Sequence, residues 1–289
     1  MKKAEADKAF EELRGNITAV SLREAECPVC SVSGTYTGKY VEDIEKNGEI
    51  KTVTGDCPCV RAHGMMLYLQ SQGLHGRYLR GMLKSLKPSD LCKLDHEKQA
   101  KVIAKVQAAP DEGWAFFGPP DTGKTTLTVA IYKSVVGREW FKYNFGSSHE
   151  ISQHVWRVTA RQLCDEAQDY ATGKYEDGVT KFLSASGPPT TVYTPTVTRA
   201  KILRAKQKNL VPHLFLEEMD KVNLTEFRRA AIFDVYSAVH ECEGQIVLNS
   251  NLSWDEFVQT FGETVWRIDE ACNKVDFFRG TVHPPKVAL

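Results

Sequence analysis

The sequence predicts an α/β fold: a parallel sheet with helices on both faces, a three-layer αβα sandwich, preceded by a small metal-held module. Three observations predict it. Beyond Pro110, short apolar runs alternate with stretches of helical periodicity. Gly118–Thr125 places a phosphate-binding loop between the first such run and the helix after it. Residues 27–59 carry two close cysteine pairs in a segment too small to hold a core of its own.

Composition sets the outer limits. The 289 residues carry 37 Lys+Arg against 37 Asp+Glu, a formal net charge of zero, with 42% hydrophobic and 26% charged residues. That balance excludes a chain disordered throughout. It also excludes a protein that coats nucleic acid over its whole surface, while leaving room for a local basic patch. No apolar run approaches the roughly 18 residues that a membrane-spanning helix needs. The opening MKKAEADKAFEELRG turns acidic where a secretory signal would turn apolar. The expected location is therefore cytoplasmic, with no membrane association. In that reducing setting close cysteine pairs serve as metal ligands rather than disulfides.

Three consecutive domains are expected. Residues 1–60 begin with a helix, on the spacing of Ala9, Phe10 and Leu13, and continue as the cysteine module, with strand-like pieces at Thr35–Thr37 and Ile50–Val53. Residues 61–108 read as a basic helical linker. It is helical around Met66, Leu69, Leu79 and Leu83, has no acidic residue between Asp56 and Asp90, and ends in a helix over about 92–108. Residues 109–289 form the α/β domain. Its strands are Trp114–Phe117, Val155–Val158, His213–Leu216 and Gln245–Leu248. Its helices are Thr125–Val136, Ala160–Ala171 and Thr225–His240, with helical pieces at Trp254–Phe261 and Val265–Cys272. Residues 184–197 are a Pro/Thr/Gly-rich insertion.

The chemistry concentrates at strand ends. Gly118-Pro119-Pro120-Asp121-Thr122-Gly123-Lys124-Thr125 satisfies G-x-x-x-x-G-K-[ST] in full, with Thr126 next in the helix. Glycines let backbone N–H groups turn toward a phosphate chain, and the helix N-terminus adds positive potential. Lys124 would reach the β- and γ-phosphates of ATP, and the Thr125 hydroxyl would complete a Mg²⁺ shell. Asp121 stands where a third small residue, often Gly, is usual; Asp tolerates left-handed backbone better than most residues, but its carboxylate would weaken polyphosphate binding if it points inward.

The strand His213–Leu216 ends in Glu217-Glu218. Glu217 would hold Mg²⁺ through water and Glu218 would orient and activate the attacking water; the alternative is a solvated acidic turn. Ile246-Val247-Leu248 ends in Asn249-Ser250-Asn251, where an amide either contacts the γ-phosphate or caps the helix near Trp254. Arg267 is either a cation supplied to a neighbouring subunit's ATP or a surface arginine near Asp269 and Glu270.

Together these elements resemble an AAA+ ATPase. Residues about 57–278 more narrowly resemble the DnaC/IstB-like group of bacterial and phage helicase loaders. The resemblance rests on Cys57-Pro58-Cys59 before a basic helix, Gly73-Leu74-His75-Gly76-Arg77-Tyr78, the phosphate loop, Val158-Thr159-Ala160-Arg161-Gln162-Leu163, Leu214–Glu218 and Asn249-Ser250-Asn251-Leu252. It implies an oligomeric, ATP-hydrolysing protein that binds single-stranded DNA and delivers the replicative DNA helicase to it. Carried over by position, Lys124 and Thr125 would bind nucleotide and Mg²⁺, Glu217 and Glu218 form the acidic pair, Asn251 is the sensor and Arg267 the finger. The sequence departs from the pattern at Asp121, at Glu217 in place of Asp, and in a longer insertion around 184–209.

Cys27, Cys30, Cys57 and Cys59 would bind one Zn²⁺ through four thiolates, with His63 or His75 able to replace one of them. The lone Cys92, Cys164, Cys242 and Cys272 read as small core or surface residues. Two basic stretches, 61–87 and Arg199–Lys208, offer phosphate contacts or else are solvated helix faces. Two other functions use the same residues: an IstB-like transposition helper ATPase, and a non-hydrolysing ATP-dependent DNA-binding switch.

Overall fold

The computed structural model describes residues 31–32, 35–36, 39–46, 49–56, 58–79, 83–88, 96–142, 148–172 and 196–285. The helix expected near the N-terminus and Cys27, Cys30, Cys57 and Cys92 lie outside the described residues. In chain order the strands and helices are β1 (Ser31–Val32), β2 (Thr35–Tyr36), β3 (Lys39–Lys46), β4 (Glu49–Asp56), α1 (Pro58–Ser71), α2 (His96–Ala108), β5 (Gly113–Phe117), α3 (Lys124–Lys142), α4 (Ser148–Ile151), β6 (Val155–Thr159), α5 (Ala160–Ala171), α6 (Arg199–Gln207), β7 (His213–Glu217), α7 (Glu226–Glu241), β8 (Gln245–Ser250), α8 (Trp254–Phe261), α9 (Trp266–Ala271), β9 (Cys272–Asp276) and β10 (Thr281–His283).

The chain divides into two compact units, Met1–Leu86 with Val129–Ile151, and Lys87–Thr128 with Ser152–Leu289. Helix α3 starts in the second unit and finishes in the first. In the first unit β3 and β4 form an antiparallel hairpin with Lys39 opposite Asp56 and Lys46 opposite Glu49. Helix α1 opens on Pro58, whose missing N–H costs nothing at a first helical position. The helix expected around Met66, Leu69, Leu79 and Leu83 stops at Ser71: Gly73 adopts φ 77° and Leu74 N–H donates back to Leu69 O, a glycine-terminated helix end. Single-turn 3₁₀ helices at Gly76–Tyr78 and Leu83–Ser85 follow. Buried Tyr68 meets Trp140 with ring centroids 5.7 Å apart.

The second unit contains a six-stranded sheet in the order β10-β9-β5-β8-β7-β6. Neighbours among β9, β5, β8, β7 and β6 run parallel, and β10 runs antiparallel to β9. Alternate strand residues Ala115, Phe117, Leu214, Leu216, Ile246 and Leu248 enter one core with Leu163 of α5, Ile202 of α6, Val239 of α7 and Phe257 and Phe261 of α8. The intervening Trp114, Phe116, Phe215, Val247 and Val275 are also buried, so both faces of the sheet are covered. The fold is α/β, with a mostly parallel sheet.

Strand β9 and its hairpin partner add to the strands that the sequence predicts. Cys272-Asn273-Lys274-Val275-Asp276 lacks an apolar run, yet every residue is buried. Its polar side chains are satisfied internally: Lys274 by Asp269, Asn273 by Glu112, and Asp276 by the N–H groups of Phe278 and Arg279. Side-chain caps start the helices that border the site. Thr159, Thr198, Thr225 and Ser253 each accept a first-turn N–H, and Ser253 forms a capping box with Glu256.

At the N-terminal edge of the sheet a buried amide closes a network. Gln245 Nε2 donates to Pro110 O and Glu112 O, both at 2.8 Å, which orients its Oε1 toward His213 Nδ1 at 2.9 Å. With both amide protons committed to carbonyls, Nδ1 is the donor in that contact. The Pro110–Glu112 turn entering β5 is thereby tied to β7 and β8. The thiols of Cys164, Cys242 and Cys272 are buried, as small core residues. Burial pushes Cys164 up to about 11 and Cys272 up to about 12.

Candidate functional site

The loop between β5 and α3 lies at the C-terminal ends of the parallel strands, where open α/β sheets bind ligands. Its start is sewn to both neighbouring strands. Gly118 N–H donates to Ser250 O at the end of β8 (3.3 Å), and Phe277 N–H, just past β9, donates to Phe117 O (2.8 Å). Gly118 has φ 152°, and a Cβ there would stand 2.5 Å from Phe277 Cβ. No larger residue fits this approach.

Asp121 occupies the left-handed region at φ 61° and is exposed; Gly123 follows at φ 91°. Pro119 is half-buried and Pro120 exposed. Thr122 Oγ1 donates to Pro119 O (2.9 Å), which tightens the turn. Thr125 and Thr126 are half-buried in the first turn of α3. Lys124 opens that helix with 6% of its surface exposed. Its ammonium folds back into the loop and donates to Gly118 O (2.7 Å) and Pro119 O (2.6 Å). Burial lowers its pKa to about 8, against the opposing pull of Asp220 and Asp121.

The acidic strand end is built differently from the simple pair read in sequence. Glu217 is buried, and Arg157 of β6 holds both its oxygens: Nε donates to Oε1 at 3.0 Å and Nη2 to Oε2 at 2.7 Å. Burial raises its pKa, opposed by the guanidinium. Glu218 sits in the left-handed region at φ 58°, and its carboxylate meets Lys221 at 2.6 Å. Its backbone N–H donates to Asn249 Oδ1 (3.0 Å), while Asn249 Nδ2 donates to Thr128 Oγ1 of α3 (3.2 Å). Asn251 N–H and Nδ2 donate to the two oxygens of Asp220 at 2.8 and 2.9 Å. The cap of α8 is Ser253, so neither asparagine serves as that cap.

Arg157, Thr128 and Asp220 make contacts at the strand ends that the sequence motifs do not single out. Asp220 lies two residues after the acidic pair, but its return toward β8 depends on the positive φ at Glu218, for which an Asn or Gly would have been the ordinary signal. Arg267 lies on α9 and stacks its guanidinium on Trp266, 3.8 Å from the ring centroid. Trp266 is 44% exposed and lines an open cavity of about 880 Å³. Asp269 and Glu270, the expected neighbours of Arg267, face Lys274 and His240 instead.

The oxygen donors of the loop and of the acidic turn (Thr125 hydroxyl, Glu218 and Asp220 carboxylates) are hard ligands of the kind that suits Mg²⁺. Among the described residues no three His, Cys, Asp or Glu side chains gather as a ready-made metal cage. Three of the four expected zinc ligands lie outside the described residues, and of Cys59 the backbone alone is described, in the first turn of α1.

The basic run on α6 is largely engaged by the protein itself. Arg199 pairs with Asp234 (3.3 Å) and Glu241 (2.7 Å), Lys206 with Glu243 (3.6 Å), and Lys208 donates to Gln153 (2.7 Å). Lys84 and Lys87, of the earlier basic stretch, are exposed.

A buried parallel strand, a glycine-bounded loop closed over its own lysine, a helix starting at that lysine and an acidic turn two strands away sit together in a mostly parallel α/β fold. No protein-family model matches the chain, and no curated protein matches it in sequence. Among solved structures it is similar to AMPPCP-bound DnaA from Aquifex aeolicus (14% identity, TM-score 0.39, 68% of this chain and 54% of that one). It is similar also to the DnaC helicase loader (18%, TM-score 0.42, 69% and 98%) and to DnaI (15%, TM-score 0.38, 70% and 93%). The chain spans about half the length of that DnaA chain.

Proposed function

We propose that this protein is an ATP-dependent DNA replication factor of the AAA+ type, a helicase loader that binds ATP with Mg²⁺, contacts single-stranded DNA and delivers the replicative helicase. The observation that carries the nucleotide part is the Lys124 ammonium, buried and held by the loop's own carbonyls, where a phosphate chain would replace them as its partner. Asn251 and Glu218 at neighbouring strand ends support hydrolysis, with Glu218 released from Lys221 to orient the attacking water. Arg267 belongs to the reading as a cation offered to a second copy in a homo-oligomer. The zinc module of Cys27, Cys30, Cys57 and Cys59 belongs to it as a partner-contact element.

The test is phosphate release with and without single-stranded DNA, together with pull-down of a replicative helicase. Lys124→Ala is expected to abolish ATP binding, and Glu218→Gln to retain binding while lowering turnover by roughly 10²-fold or more. Turnover surviving in Lys124→Ala would sink the assignment of the loop. Capture of a transposase in place of a helicase would move the protein to transposition. A second reading has a specific observation behind it: with Glu217 locked by Arg157, the protein would bind ATP as a non-hydrolysing assembly switch. Tight ATP binding without turnover in the wild type selects that reading.

A further inference from the structure

Resting on the nucleotide-binding reading above, we infer that Asp220, rather than Glu217, is the carboxylate that faces a nucleotide-bound Mg²⁺, and that Arg157 keeps Glu217 as a structural anchor outside that role. The two acids differ in what surrounds them. Glu217 is the last residue of β7, buried, with a guanidinium within hydrogen-bond distance of both its oxygens. A dication brought to that carboxylate would meet a fixed positive charge a few ångströms away in a poorly solvated place, where like charges repel strongly. The fork of Arg157 also leaves the pair without net charge to offer.

Asp220 is reached by a different backbone path. The left-handed Glu218 reverses the chain, and a 3₁₀ turn over Met219–Lys221 returns it toward β8. There Asn251 holds both oxygens with a backbone N–H and a side-chain amide. These are neutral donors, so the carboxylate keeps its charge, and each oxygen keeps a second lone pair. Asn251 directly follows Ser250, whose carbonyl accepts the Gly118 N–H at the mouth of the phosphate loop. Two short links therefore connect Asp220 to the loop. The electrostatic pairing agrees: Lys124 feels Asp220 and Asp121, whereas Glu217 interacts with Arg157 and Glu218. Asp121 is exposed on the loop itself, so it enters the test as a separate arm.

The experiment measures binding of a fluorescent ATP analogue to the full chain across a series of free Mg²⁺ concentrations and in EDTA. Asp220→Asn is expected to raise the Mg²⁺ midpoint about 10-fold or more, the size of effect typical for groups that act on a metal through an intervening ligand. In EDTA its affinity should equal or exceed that of the wild type, because a negative charge has gone. Glu217→Gln should keep the wild-type midpoint while melting earlier, since it strands the Arg157 charge. Should that variant fail to fold, the double variant Arg157→Met with Glu217→Met removes both charges and should keep the same midpoint.

A midpoint that moves with Glu217 or Asp121 and not with Asp220 overturns the inference. So does a midpoint that none of the variants moves. The Lys124→Ala arm separates the two levels. Loss of all nucleotide binding there supports the phosphate loop whatever the carboxylates do, and unchanged binding overturns both the loop and the metal assignment.

Discussion

At the residue scale, Lys124 is the group whose chemistry depends most on its surroundings. An ammonium pushed down to about 8 by burial is half neutral at pH 8 in the free loop. A bound polyphosphate favours the charged form, so binding above that pH requires proton uptake. Affinity for ATP is therefore expected to be flat below about pH 7 and to fall as pH rises through 8, approaching tenfold per pH unit above it. Calorimetric titration in buffers of different ionisation enthalpy checks both the slope and the proton uptake. Lys124→Arg should flatten the profile even if it binds more weakly, since a guanidinium stays charged throughout. The motif around Lys124 is legible in sequence because its residues are contiguous. The partner of Glu217 is not: Arg157 lies 60 residues earlier, and β-sheet register, rather than spacing, brings the two together.

At the element scale, the strands legible in sequence are those dominated by apolar residues. β5, β6, β7 and β8 announce themselves through Trp114–Phe117, Val155–Val158, His213–Leu216 and Gln245–Leu248. β9 hides behind Asn273, Lys274 and Asp276, whose burial is tolerated because each has a tertiary partner. That strand matters to the site, since Phe277 at its end forms the wall against which Gly118 closes. Gly118→Ala is expected to cost about 2–3 kcal/mol, from a methyl 2.5 Å from Phe277 Cβ and from a backbone angle that alanine adopts poorly. Thermal melting would show it, and nucleotide affinity should fall as well, because the loop starts at that residue. A variant as stable as the wild type would mean that the β9 end gives way more easily than its two backbone bonds suggest. Asn249 joins three elements at once, linking the turn after β7 to the second turn of α3. In sequence it is only one of two candidate amides at the end of β8, and its partners lie 31 and 121 residues earlier in the chain.

At the scale of the whole molecule, zero net charge conceals an uneven distribution of cations. The α6 run reads as five positive charges in ten residues, but α7 and its C-terminal turn supply Asp234, Glu241 and Glu243 against it. Pairing of this kind is invisible in a linear charge count. On the proposed function, binding of single-stranded DNA is accordingly expected to depend on Lys84 more than on α6. Replacing Lys84 with Ala should lower affinity and make the salt slope shallower by roughly 0.7, the share of one phosphate left without its cation. Replacing Arg199 should alter stability and leave the slope alone. Fluorescence anisotropy with a labelled oligonucleotide at several salt concentrations distinguishes these outcomes, and an α6-dependent slope would reverse the assignment.

The Gln245 network has a practical consequence at this scale. It sits at the opposite end of the strands from the phosphate loop, and it fixes one proton on His213 Nδ1, shielded from solvent. Such a proton exchanges slowly and resonates well away from the amide envelope. It is a natural internal standard: a ligand acting at the loop should leave that resonance in place, whereas any opening of the sheet should erase it. A single ¹⁵N-histidine spectrum can then tell occupancy of the loop from loss of the fold.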